Sequence, residues 1–81
     1  MGHLLGSLRA VIIEVADFLP ERDLANAWEL VDAGEPGIAL ENLCTQLYEY
    51  DATLDPEVVE QIRRLAIAMS LDPERVLRRL R

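Results

Sequence analysis

The chain has 81 residues, of which 51% are hydrophobic and 5% aromatic, and its formal net charge is −7. This length favours one domain over residues 1–81, and the apolar content excludes a disordered segment. The absence of lysine excludes Schiff-base catalysis, and the single Cys44 excludes an intramolecular disulfide. With so few aromatic residues, the core must consist mainly of Leu, Val, Ile and Ala, a mixture that suits packed helices.

The sequence lacks the features that take a chain into or across a membrane. Its first residues contain no basic segment followed by a long apolar run and a cleavage site. The longest strictly apolar run, residues 10–13, is far too short to cross a bilayer. A small secreted domain would usually carry several cysteines. We therefore expect a cytoplasmic protein that does not bind membranes.

Charge is distributed unevenly along the chain. Residues 1–60 contain 13 acidic residues and two arginines, whereas residues 61–81 contain six arginines and two acidic residues. The first segment would repel nucleic acid and anionic membranes, and it would attract a basic protein. The alternative is that the acidic surface serves solubility alone.

A first helix is predicted over residues 4–18 by apolar residues at helical spacing. Ile13 falls outside this stripe, so it either meets a further helix or is exposed. The residues predicted to face the core are Leu4, Leu8, Val11, Val15 and Phe18.

The second helix is marked at both ends. Pro20 suits the first turn, where its missing N–H costs nothing, and Gly34 supplies a left-handed end. The predicted apolar face consists of Leu24, Ala27, Trp28 and Val31.

A third helix is predicted from Glu35 or Pro36 to about Tyr50. Its core face includes Cys44, which we interpret as a small core residue rather than a nucleophile. A second strip, formed by Glu41, Thr45 and Tyr48, follows the surface of the same helix.

The sequence Asp-Pro-Glu occurs at residues 55–57 and again at residues 72–74, and each copy combines a cap, a first-turn proline and a first-turn acid. These signals predict a fourth helix to about Ser70 and a short fifth helix, with a turn at residues 51–54 before the fourth. The sequence therefore predicts an all-α fold, a compact bundle of four to five short helices.

No arrangement of residues indicates catalysis. His3 is the only histidine, and no Cys/His spacing or Glu-x-x-His pattern indicates a metal site. We expect no catalytic residue, no metal, no cofactor and no enzymatic activity.

Acidic residues and tyrosines cluster at the end of the third helix. Tyr48 and Tyr50 point in different directions, so both are not expected in the core. Negative charge at a helix C-terminus opposes the macrodipole, so folding does not favour Glu49 and Asp51 there, whereas a binding role would explain them. The alternative is a solvated face on which a tyrosine lies flat. The predicted partner-binding residues are Glu35, Glu41, Tyr48, Glu49, Tyr50, Asp51 and Asp55.

Residues 34–44 read Gly-Glu-Pro-Gly-Ile-Ala-Leu-Glu-Asn-Leu-Cys, and residues 46–51 read Gln-Leu-Tyr-Glu-Tyr-Asp. Over this stretch the chain resembles the MafI-type immunity proteins of bacterial polymorphic toxin systems. The resemblance implies a small cytoplasmic protein, encoded beside a secreted toxin, that binds the C-terminal domain of that toxin. Such a domain is often a nuclease, and binding protects the producing cell without a cofactor. Ala39, Leu40 and Leu43 of the motif are interpreted as packing residues.

Charge and resemblance point to the same kind of partner. Nuclease domains must tolerate phosphate, so their active-site surfaces tend to be basic. An acidic helical protein would be complementary to such a surface and would associate with it quickly.

Two other functions stay open. One is a dimerising helical adaptor or regulatory protein, whose dimer patch would combine the off-stripe residues Ile13, Leu30 and Ile67. The other is a DNA-binding regulator that uses the arginines of the last helix, although these arginines also suit a helix C-terminus or pairing with the acidic body. A monomer without direct nucleic-acid binding is favoured.

Overall fold

A computed structural model describes residues 2–78 and residue 80. Over these residues the chain forms an all-α bundle without strands, which confirms the predicted fold class. The helices are α1 (Gly2–Glu14), α2 (Glu21–Asp32), α3 (Pro36–Glu49), α4 (Pro56–Ala68) and α5 (Pro73–Leu77), and a 3-10 turn (Ala16–Phe18) lies between α1 and α2.

Helix α1 ends earlier than predicted, and this corrects the placement of Phe18. After Glu14 the chain passes into the 3-10 turn, in which the N–H of Phe18 donates to the carbonyl of Val15 at 3.0 Å. A 3-10 turn advances by about 120° per residue instead of 100°, so the predicted stripe loses its register. Leu19 is therefore buried, whereas the Phe18 side chain, predicted to lie in the core, is 42% exposed.

Helices α2 and α3 form an antiparallel hairpin. Only residues 33–35 connect them, and the two helices pack against each other more extensively than any other pair of elements. Gly34 has a φ of 78°, so it provides the left-handed end that the sequence predicts. Pro36 is the first residue of α3.

Three helices end with the same hydrogen-bond pattern. After α2, the N–H of Glu35 donates to the carbonyl of Leu30 at 2.9 Å, and equivalent bonds close α3 and α4. The residue at the left-handed position is Gly34 after α2, Asp51 after α3 (φ 54°) and Ser70 after α4 (φ 61°). These Schellman-type ends fix the direction of the chain beyond each helix.

The core is aliphatic. Leu8, Leu40, Leu47 and Ile62, from α1, α3 and α4, have no exposed surface. Cys44 is buried among them, as the sequence predicts. The motif residues interpreted as packing are buried too: Ala39, Leu40 and Leu43.

The three off-stripe residues do not share one environment. Ile13 is 68% exposed and Ile67 is 59% exposed, but Leu30 is partly buried against the core. Leu30 is therefore not available as an exposed member of the dimer patch suggested by the sequence.

The two Asp-Pro-Glu copies behave differently. Asp72 caps α5 as predicted, since its Oδ1 accepts the N–H of Glu74 at 3.0 Å. Asp55 occupies the N-cap position of α4, but its side chain accepts no capping hydrogen bond. None of the helices over the described residues is long and apolar enough to span a bilayer.

Candidate partner-binding surface

The residues predicted to bind a partner lie along α3 and just beyond it, but they do not form one patch. Glu35 is the N-cap of α3, whereas Glu49 is its last residue. At 1.5 Å per residue, these two positions are about 21 Å apart along the helix axis. Glu35 therefore lies at the α2–α3 loop, and the residues from Tyr48 onward lie at the opposite end of the helix.

Glu41 already has a partner within the chain. Its Oε2 lies 2.6 Å from Nη2 of Arg75, which joins the middle of α3 to α5. Both side chains are partly exposed, and such ion pairs contribute only about 0–1 kcal/mol to stability. Arg75 of the last helix thus pairs with an acidic residue of the preceding helices, which is one of the roles that the sequence suggested for the C-terminal arginines.

A small cavity of about 320 Å³ lies beside this ion pair, between α3 and α5. Thr45, on its rim, donates a hydrogen bond from Oγ1 to the carbonyl of Glu41 at 3.0 Å. Burial, together with the negative charge of Glu41, raises the pKa of the Cys44 thiol to about 12. At neutral pH this cysteine is therefore a protonated thiol and a poor nucleophile.

The C-terminal end of α3 exposes both tyrosines. Tyr48 is 42% exposed and Tyr50 is 46% exposed. At about 100° per residue the two side chains leave the helix on nearly opposite sides, and the sequence likewise predicts different directions for them. Glu49 and Asp51, which flank Tyr50, are also exposed.

The backbone at this end is held by several hydrogen bonds. The N–H of Tyr50 donates to the carbonyl of Gln46 at 2.9 Å, and the N–H of Asp51 donates to the carbonyl of Tyr48 at 3.0 Å. Ala52 is buried immediately afterwards and anchors the connection to the core. The tyrosines and acids are thus presented on a fixed backbone, which reduces the entropy lost on binding. Asp55, before α4, continues this exposed acidic segment.

Two features of the surface were not found by sequence analysis. One is Phe18, whose exposure follows from the early end of α1. Pro20 explains only why Leu19 leaves helical geometry, because the residue before a proline is disfavoured there, and not why α1 already ends at Glu14. Leu19 is accordingly extended, with φ −125° and ψ 147°.

The second is a groove of about 660 Å³ between α1 and α4. Its walls include Leu4, Val11 and Leu65, and no acidic residue lines it. Arg64 on its rim lies 3.5 Å from the carboxylate of Glu60. Within the described part of the chain, no group of His, Cys, Asp and Glu side chains could hold a metal ion.

Comparisons with protein-family models, with curated proteins and with solved structures found no match to this chain.

Proposed function

We propose that this protein is an immunity protein of the cytoplasm that binds and neutralises the C-terminal domain of a cognate secreted toxin, with a nuclease domain as the expected target. The observation that carries the proposal is the exposed group of acids and tyrosines at the end of α3, held on a hydrogen-bonded backbone. This group lies within the stretch that resembles MafI-type immunity proteins.

Inhibition would occur by stoichiometric binding and would require no chemistry from this chain. A nuclease surface that holds phosphate is basic, so an acidic surface can occupy it and can also speed the encounter. Tyrosine adds broad apolar contact and a hydroxyl at modest entropic cost. The proposed contact centres on Tyr48, Glu49, Tyr50, Asp51 and Asp55.

Glu35 and Glu41 would lie at the margin of this contact. Glu35 is at the other end of α3, and the carboxylate of Glu41 is held by Arg75. A toxin that engaged Glu41 would have to compete with this arginine.

The proposal is tested with the C-terminal domain of the secreted protein encoded next to this gene. We expect that co-expression with this chain restores growth to cells that produce the domain, and that calorimetry gives a 1:1 complex. If growth is not restored and the two purified proteins do not bind, the proposal is wrong.

Charge variants test the role of the acidic surface. We expect the triple variant Glu49→Gln, Asp51→Asn, Asp55→Asn to lower affinity and association rate. The matched control neutralises three acids outside the proposed surface, Glu29→Gln, Asp32→Asn and Glu74→Gln. Equal affinity of the first variant and the wild type would contradict the proposed contact.

The exposed Ile13 and Ile67 favour one alternative, a dimerising adaptor without a toxin partner. Sedimentation of the isolated protein over a range of concentrations separates the two functions. A stable dimer, together with no toxin gene beside this one, would favour the adaptor.

A further inference from the structure

Two of the chain connections lie at the same end of the α2–α3 hairpin. Residues 15–20 lead into the start of α2, and residues 50–55 follow the end of α3. Because α2 and α3 are antiparallel, the start of one lies beside the end of the other. We call residues 13–23 and 48–57 the connection end.

Most of the exposed large apolar side chains are at the connection end. Six such side chains are exposed among the described residues, and four of them are Ile13, Phe18, Tyr48 and Tyr50. Three of these four are aromatic, although the whole chain has only four aromatic residues. Aromatic side chains are enriched at protein interfaces and are the most frequent anchors there.

The connection end also carries the whole net charge of the protein. Its two segments contain eight acidic residues and a single basic residue, Arg22, which gives a balance of −7. The rest of the sequence contains seven acidic residues and seven arginines, so it is neutral. All but one of the eight acids are exposed, and the exception, Asp23, is half-buried.

We propose that the connection end is the docking surface for a basic protein partner, with Phe18 and Tyr50 as apolar anchors. Carboxylates beside aromatic rings suit arginine and lysine side chains, because these cations can lie over a ring while they pair with an acid. An apolar contact on the partner would cover Phe18. This proposal rests on the proposed function, because that function identifies the partner as the toxin domain.

This surface differs from the one that sequence alone predicts. It adds the 3-10 turn and the first turn of α2 to the end of α3, and it excludes Glu35 and Glu41. Substitution of Phe18 distinguishes the two surfaces, because Phe18 belongs to the connection end but not to the partner-binding residues predicted from sequence.

The surface is mapped first on the intact protein. Amide resonances of the isotope-labelled chain are followed by NMR while the catalytically inactivated toxin domain is added. We expect the largest shifts in residues 13–23 and 48–57. Shifts confined to the α2–α3 loop, the middle of α3 and α5 would overturn the proposal.

Single substitutions then test the anchors. We expect Phe18→Ala and Tyr50→Ala each to weaken binding about tenfold or more, as for central interface aromatics. The controls are Ile38→Ala and Ile67→Ala, which remove exposed apolar side chains elsewhere and should change affinity by less than about twofold. Thermal unfolding of each free variant shows whether it is folded.

The outcomes of the two proposals are distinguishable. If the wild-type chain does not bind the toxin domain, the proposed function fails. If the wild-type chain binds it and both folded anchor variants bind equally well, only the connection end is wrong as the docking surface.

Discussion

Cys44 shows at the residue scale how the packing of α3 sets the chemistry of a side chain. The sequence places this residue on the core face, and burial then holds its thiol protonated. A pattern of residues can predict such burial. It could not predict the 2.6 Å contact between Glu41 and Arg75, because that contact depends on where α5 packs against α3.

The raised pKa of Cys44 predicts a dependence of stability on pH. The native thiol titrates near 12 and the unfolded thiol near 9.0, so its contribution is complete below pH 9.0 and is lost as the pH rises towards 12. At about pH 10 the loss is about 1.4 kcal/mol. Urea unfolding at pH 7 and pH 10 should show a larger loss for the wild type than for Cys44→Ala. Equal losses would contradict the burial of the thiol.

At the element scale, the helix ends marked by proline and glycine were predictable, whereas the end of α1 was not. Gly34 and Pro36 act through the backbone of their own segment, so their effects can be recognised from sequence. Pro20 was expected in the first turn of α2 and instead lies just before it, at the N-cap position. The residues from Val15 to Phe18 continue an apolar spacing, and only the packing of Leu19 into the core shows that the helix has already ended.

Two glycines with open space around them should respond in opposite directions to alanine. A Cβ at Gly34 or at Gly6 would meet no atom within 4 Å, but Gly34 has a positive φ and Gly6 lies within α1. We expect Gly34→Ala to lower the free energy of unfolding by about 1 kcal/mol and Gly6→Ala to raise it by about 0.5–1 kcal/mol. Urea unfolding measures both. If Gly34→Ala instead raised the free energy of unfolding, residue 34 would not have the left-handed conformation described here at the end of α2.

At the scale of the whole molecule, the acidic surface is polarised rather than spread evenly. The sequence places most acids in its first sixty residues, but it does not show that those of two separate segments lie at one end of a hairpin. That proximity follows from the antiparallel packing of α2 against α3. The sequence could therefore predict that the candidate surface is acidic and carries tyrosines, but it could not predict which segments of the chain form that surface.

A polarised charge should orient the protein as it approaches a basic partner. We expect the association rate to fall about tenfold or more between 50 mM and 500 mM salt, while the dissociation rate changes little. Stopped-flow kinetics at several salt concentrations measures both rates. If salt acts mainly on dissociation, the net charge of the connection end does not steer the encounter.

The left-handed residues that follow α3 and α4 suggest how a more heat-resistant version of this protein could be made. Both positions hold a residue with a Cβ where glycine is preferred, but only Asp51 lies on the proposed docking surface. We expect Ser70→Gly to raise the melting temperature by about 4 °C and to leave binding intact. The same change at Asp51 would remove a charge that the partner is proposed to meet. At Asp51, thermal tolerance and toxin recognition would therefore be selected against each other, whereas Ser70 could be changed without this conflict.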